Sequence, residues 1–66
     1  MTITVNGQPE NIPDTATVSD LLAHLQLDGS PCAVEINKTL IPKRRHQDQP
    51  LAPGDIVEIV TLVGGG

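Results

Sequence analysis

One run of this chain, and only one, repeats apolar residues at helical spacing. Val18, Leu21, Leu22 and Leu25 stand at i, i+3, i+4 and i+7, a single stripe along a helix of 3.6 residues per turn. The other apolar segments alternate, as in Ile3 and Val5 or Cys32, Val34 and Ile36, which is the period of strands with one buried face. A lone helix stripe must lie against one face of one sheet, so the expected class is a two-layer α+β domain. With 66 residues the chain has room for one small core, since a domain of about 60 residues hides only roughly 60% of its unfolded surface. Leu, Ile and Val supply 19 positions, enough apolar material for a fold rather than a disordered chain.

Turn and cap chemistry divides the rest. Asn6-Gly7 suits both positive-φ positions of a type I′ turn, predicting a hairpin from the first strand into a return strand over Gln8 to Ile12. Pro9 in that return strand cannot donate to a ladder and sends it to a sheet edge. Thr17 is the expected N-cap, with Asp20 three residues on as a weak capping box. Asp28-Gly29-Ser30-Pro31 is the expected helix stop. Asn37-Lys38-Thr39 turns the third strand into a short one, Leu40-Ile41, ended by Pro42. Residues 43–50 contain no apolar side chain and read as an exposed loop. Pro53-Gly54 fits a type II turn that launches the last strand, Ile56 to Leu62. This strand is the most apolar and is expected at the centre of the sheet, beside the first.

That last strand carries a consequence. If Val57 and Ile59 face the helix, then Ile56, Glu58, Val60 and Leu62 face the other way, where no further element is left to cover them. Aliphatic side chains on alternate positions of one strand form a contiguous patch, and such patches mark partner sites. Charge is also uneven: residues 1–37 hold five acidic side chains and neither Lys nor Arg, whereas all four basic residues lie in 38–66. Such asymmetry favours oriented docking on another protein.

Several functions are disfavoured. The chain has no Phe, Trp or Tyr and a net charge of −4, so it lacks stacking platforms for bases and repels phosphate backbones. No apolar run reaches the roughly 20 residues that span a bilayer. The start, Met1 to Val5, lacks the basic and long apolar regions of a signal peptide, so a cytoplasmic protein, monomeric when free, is expected. Enzyme chemistry is thinly represented. His24 and His46 read as solvated surface residues without metal-ligand spacing. Cys32, on the apolar side of its strand, reads as a small core residue rather than a nucleophile.

The end of the chain is chemically distinctive. Val63 leads into Gly64-Gly65-Gly66, three residues that pack nothing and have no Cβ to obstruct a narrow passage. Residues 63–66 therefore read as a flexible tail on a globular domain of residues 1–62. Fully extended, the tail reaches at most about 14 Å, far enough to carry a terminal carboxylate into another protein's active site.

The sequence resembles the ThiS family, ubiquitin-like β-grasp sulfur carriers of thiamine biosynthesis. The matching stretches are Val5-Asn6-Gly7, Val18-Ser19-Asp20-Leu21-Leu22, Val34-Glu35-Ile36-Asn37, Pro42-Lys43, Pro50-Leu51 and the specific ending Gly54-Asp55-Ile56-Val57-Glu58-Ile59-Val60 through Val63-Gly64-Gly65-Gly66. The resemblance spans essentially the whole chain. It implies a β-grasp fold, a mixed sheet of four to five strands with one packed helix. It also implies that the Gly66 carboxylate is adenylated by an activating adenylyltransferase using ATP. Sulfur from a persulfide donor then replaces AMP, and the Gly66 thiocarboxylate supplies sulfur to thiazole synthase for the thiazole moiety of thiamine. On this reading the chain is a cosubstrate without catalytic residues, metal or bound cofactor. Val63, Gly64 and Gly65 are the partner-binding tail; Ile56, Glu58, Val60 and Leu62 are the partner-binding surface. Relatives often have Pro-Arg followed three residues on by Trp, where this chain has Pro42-Lys43-Arg44-Arg45-His46. Three other readings stand beside this one: a carrier for molybdopterin or another sulfur-containing product, a ubiquitin-like modifier or binding module, and a small thiol enzyme using Cys32.

Overall fold

The computed structural model describes residues 1–62. Its elements are β1 (Thr2–Val5), β2 (Gln8–Asn11), α1 (Val18–His24), β3 (Cys32–Ile36), β4 (Thr39–Ile41), a 3₁₀ turn (Lys43–Arg45) and β5 (Ile56–Thr61). The strands form one sheet in the order β2-β1-β5-β3-β4. β1 and β5 are parallel, with Thr4 opposite Ile56 and Val5 opposite Val57; the other pairs are antiparallel. The last strand is therefore central and lies beside the first, and Pro9 is on an edge strand.

The core is the expected single layer between helix and sheet. Val18, Leu21 and Leu22 from α1 meet Ile3 and Val5, Val34 and Ile36, and Val57 and Ile59, with Ile12, Ala16 and Leu51 closing the ends. These side chains are small and β-branched or γ-branched, which explains how a chain without aromatic rings fills a core this thin. Three turns behave as their residues dictate. Asn6 and Gly7 both have positive φ (50° and 82°), Asn37 and Lys38 likewise (50° and 71°), and Gly54 has φ 81°. The first two pairs are the positive-φ pairs that a two-residue hairpin requires.

Both turn asparagines do more than turn. β1 ends at Val5, leaving the next stretch of β5 without a backbone neighbour on that side. The Asn6 side chain takes the place of one: Ile59 N–H donates to its Oδ1 (2.8 Å) and its Nδ2 donates to Ile59 O (3.1 Å). At the start of β5, Ile56 N–H donates to Asn37 Oδ1 (3.0 Å), while Asn37 Nδ2 donates to Asp55 Oδ1 (3.1 Å). The last strand is thus held at its first residue and again at Ile59 by amide side chains 31 positions apart in the sequence. Asn6→Asp keeps an acceptor but removes the donor and sets a carboxylate against Ile59 O. It is expected to lower stability by about 1–2 kcal/mol, roughly 4–16 °C in Tm, measured by thermal unfolding.

Two expectations are corrected. The helix does not run to the Gly29-Pro31 stop. It ends at His24, and Gln26 takes the left-handed conformation (φ 62°). Gln26 N–H then bonds Ala23 O at 3.0 Å and Leu27 N–H bonds Leu22 O at 2.7 Å, a Schellman cap built without glycine. Leu22 and Leu27 at its two ends both pack on the core, and these anchors with the two backbone bonds accompany a Gln26 conformation that its side chain disfavours. Second, residues 43–50 are not simply an exposed loop, and His46 is not a solvated surface residue. His46 is 6% exposed, and because a carbonyl can only accept, its Nε2–H donates to Ile41 O at 3.1 Å. The backbone of this segment caps α1. Gln49 O accepts from Val18 N–H (3.0 Å), and His46 O accepts from Ser19 N–H (2.9 Å). Asp20 N–H bonds Thr17 Oγ1 (3.3 Å) and Thr17 N–H bonds Asp20 Oδ2 (2.9 Å), so the capping box is complete. The first three helical amides, which a helix cannot satisfy itself, all have partners.

Candidate functional site

The sheet has one face against α1 and one face without a covering element. Alternation along β5 decides what that open face presents. Val57 and Ile59 are buried, whereas Ile56, Val60 and Leu62 are 56%, 60% and 57% exposed, with Glu58 exposed between them. The facing expected for all four residues is the one observed. Leu62 stays in line with the strand because its N–H donates to Pro31 O at 2.9 Å.

Register across the sheet adds residues that inspection of β5 alone does not reveal. Glu35 of β3 lies opposite Glu58 of β5 on one side and opposite Leu40 of β4 on the other. Ala33 lies opposite Val60, and Thr4 of β1 opposite Ile56. Leu40, 61% exposed, therefore extends the aliphatic surface to the far edge of the sheet. Its signal in the sequence is position 40 in a short hairpin, where period 2 sets its face only once the register is known. The open face is an apolar surface of Ile56, Val60, Leu62 and Leu40 around two carboxylates.

The remaining candidates are not brought together. His24 Nε2 lies 3.5 Å from Glu10 Oε1 at the margin of the helix layer, so its placement is that of a surface residue beside one carboxylate. Cys32 is a free, partly buried thiol that packs against the core. Among the described residues there is no group of three His, Cys, Asp or Glu arranged to hold a metal ion, and no helix long and apolar enough to cross a membrane. An open groove between the 27–31 loop, β3 and the 3₁₀ turn is lined by Cys32, Lys43, Arg44 and His46, but His46 is already committed to Ile41 O. The residues expected to carry the chemistry, Val63, Gly64, Gly65 and Gly66, lie outside the described residues.

The decisive comparison covers that ending as well as the fold. The family model of the ThiS family matches residues 3–66. The chain belongs to the ThiS family. Among similar proteins, the sulfur carrier protein ThiS of Bacillus subtilis is 47% identical over 53 residues, 80% of each chain. The crystal structure of a thiamine biosynthesis protein (ThiS) from Geobacter metallireducens superimposes with a TM-score of 0.83 at 29% identity over the whole of both chains. The β-grasp fold implied by the sequence is thereby the observed one. A third relative is of another kind. A thiazole synthase of Paramagnetospirillum magneticum contains a segment 36% identical to this entire ThiS-family chain, and the match makes up 20% of that protein.

Proposed function

We propose that this chain is the sulfur carrier of a thiamine pathway and that Gly66 carries the sulfur as a C-terminal thiocarboxylate. The observation that carries the reading is the family match reaching to residue 66, which takes in the three terminal glycines. A carboxylate is a poor acyl donor. An adenylyltransferase uses ATP to give it an AMP leaving group. The outer sulfur of a persulfide displaces AMP at the acyl carbon to give an acyl disulfide. A second thiol then cleaves its S–S bond, forming a disulfide with the donor's sulfur and freeing the thiocarboxylate. The resulting thiocarboxylate is ionised at neutral pH and is a good nucleophile. The carrier performs none of these steps itself; on this reading it is a cosubstrate of the two enzymes.

On this reading the domain of residues 1–62 is a recognition body and residues 63–66 are its delivery tail. A tail of about 14 Å reach follows directly from β5, so any enzyme that receives it meets Ile56, Glu58, Val60 and Leu62. The activating adenylyltransferase and thiazole synthase dock there in turn on a cytoplasmic carrier that is monomeric when free. Support for the second partner comes from the Paramagnetospirillum protein, where a similar segment and a thiazole synthase share one polypeptide. The test is genetic. Deleting the gene should make growth depend on added thiamine, and a plasmid copy should restore independence while molybdopterin enzymes stay active throughout. Thiamine-independent growth with loss of molybdopterin enzymes would instead favour the molybdopterin carrier.

A further inference from the structure

The final strand has unequal support on its two edges. β3 lies beside it from Val57, opposite Ile36, to Thr61, opposite Cys32, and Leu62 N–H donates beyond that to Pro31 O. β1 lies beside it only at Ile56 and Val57. The donation of Asn37 N–H to Ile56 O and of Asn6 N–H to Val57 O fixes the alternation. Even-numbered residues of β5 direct their peptide groups to β3, and odd-numbered ones direct theirs to the β1 side. On that second edge, among the described residues, Asn6 is the only partner beyond Val57. Its amide meets both Ile59 N–H (2.8 Å) and Ile59 O (3.1 Å). The turn does not call for this amide. Asn6 has φ 50°, which glycine adopts at no steric cost, and Gly-Gly also suits a two-residue hairpin. The bonded residue, Ile59, stands three positions before Leu62 and seven before Gly66.

Given the loading of Gly66 proposed for this carrier, we infer that Asn6 is a positioning residue for it: the Asn6 amide fixes the direction in which β5 hands the chain end to the adenylyltransferase. A strand bonded along one edge can swing about that edge, whereas a strand bonded on both is held in the plane of the sheet. At about 3.3 Å per residue, Leu62 lies about 10 Å beyond Ile59, so a swing of about 10° there moves the exit by about 1.7 Å. The open face seats the body in one place, and the tail reaches at most about 14 Å. A shift at the exit is therefore carried to the reacting carboxylate, where 1 Å of misplacement can cost about a hundredfold in rate. Asn6 acts through Ile59 and not through the docking face, since its bonds run along the sheet edge.

Asn6→Gly removes the amide and keeps the turn. With adenylyltransferase in excess and ATP present, single-turnover release of pyrophosphate at saturating enzyme should slow by about tenfold or more. The enzyme concentration at half-saturation should change little, because the docking face is intact. Thr17→Ala controls for stability. It removes the capping box at the start of α1 and should lower Tm by about 2–16 °C, yet release pyrophosphate at the native rate at a temperature where every chain is folded. Amide hydrogen exchange reads the swing itself: in Asn6→Gly, Val60 and Leu62 should gain about tenfold in exchange relative to Leu21 of the helix. Asn6→Asp, which keeps the turn and loses only the donor to Ile59 O, should move every readout in the same direction, so the test does not depend on one variant folding. A native rate in both Asn6 variants, a loss that appears only in half-saturation, an equal loss in Thr17→Ala, or exchange at Val60 and Leu62 that does not outpace Leu21 overturns the positioning role and leaves the chemistry at Gly66 standing. If the native chain releases no pyrophosphate, the loading of Gly66 falls and this role falls with it.

Discussion

Removal of Gly66 is expected to abolish sulfur loading completely, with no partial activity left in the shortened chain. The proposed chemistry takes place at one carboxylate, and its position relative to the body is set by chain length. Without Gly66, the carboxylate of Gly65 stands one residue short, about 3.3–3.6 Å from where the adenylyltransferase holds the reacting group. A misplacement of even 1 Å can cost about a hundredfold in rate. Gly66 has no side chain, so its loss removes no side-chain packing, and Tm should stay within about 4 °C of the native value, a change of about 0.5 kcal/mol or less. Cys32→Ala should load sulfur normally, because the cysteine sits on the core side of β3 and the tail does not need it. Loading by the chain without Gly66, or loss of loading in Cys32→Ala, would move the chemistry away from the chain end.

Val60→Asp is the second large effect. Val60 is 60% exposed on the open face, so a carboxylate there remains hydrated. The chain should stay folded, with Tm lowered by no more than about 8 °C through lost strand propensity and the neighbouring acids. In the complex with the adenylyltransferase the same carboxylate is desolvated among Ile56, Leu62 and Leu40 and adds a third acid beside Glu35 and Glu58. Burying an unpaired charge costs several kcal/mol, so the dissociation constant should rise by at least about a hundredfold, since each 1.4 kcal/mol is tenfold. Titration of the native chain and of Val60→Asp against the enzyme, with a thermal melt of each, checks both halves. If Val60→Asp mainly unfolds the protein, the side chain is core and the open face has been assigned to the wrong side.

Much of this architecture was legible in the chain because its punctuation is local. Asn6-Gly7, Thr17 with Asp20, and Pro53-Gly54 each act within four residues, and the helix stripe sets which face of every strand is buried. What escaped was carried by the backbone or by register. The segment 43–50 has no apolar side chain, yet its carbonyls cap α1 and His46 is drawn under cover by Ile41 O; carbonyls have no residue signature. The helix ends earlier because backbone bonds from Gln26 and Leu27 N–H to Ala23 O and Leu22 O close over a left-handed Gln26, where a glycine was expected. Leu40 and Glu35 entered the candidate surface only through strand pairing, since no pattern within β5 points to them. The facing of Ile56, Glu58, Val60 and Leu62, by contrast, follows from period 2 alone.

On the proposed function, the body serves to present one carboxylate for conversion to a thiocarboxylate. The most direct measurement is the intact mass of the native chain after incubation with ATP, the adenylyltransferase, a persulfide sulfur donor and a thiol reductant. A single product heavier by the exchange of one oxygen for one sulfur is expected, with fragmentation placing the change on Gly66. An unchanged mass, a ladder of adducts joined to other proteins, or sulfur located on Cys32 would contradict it.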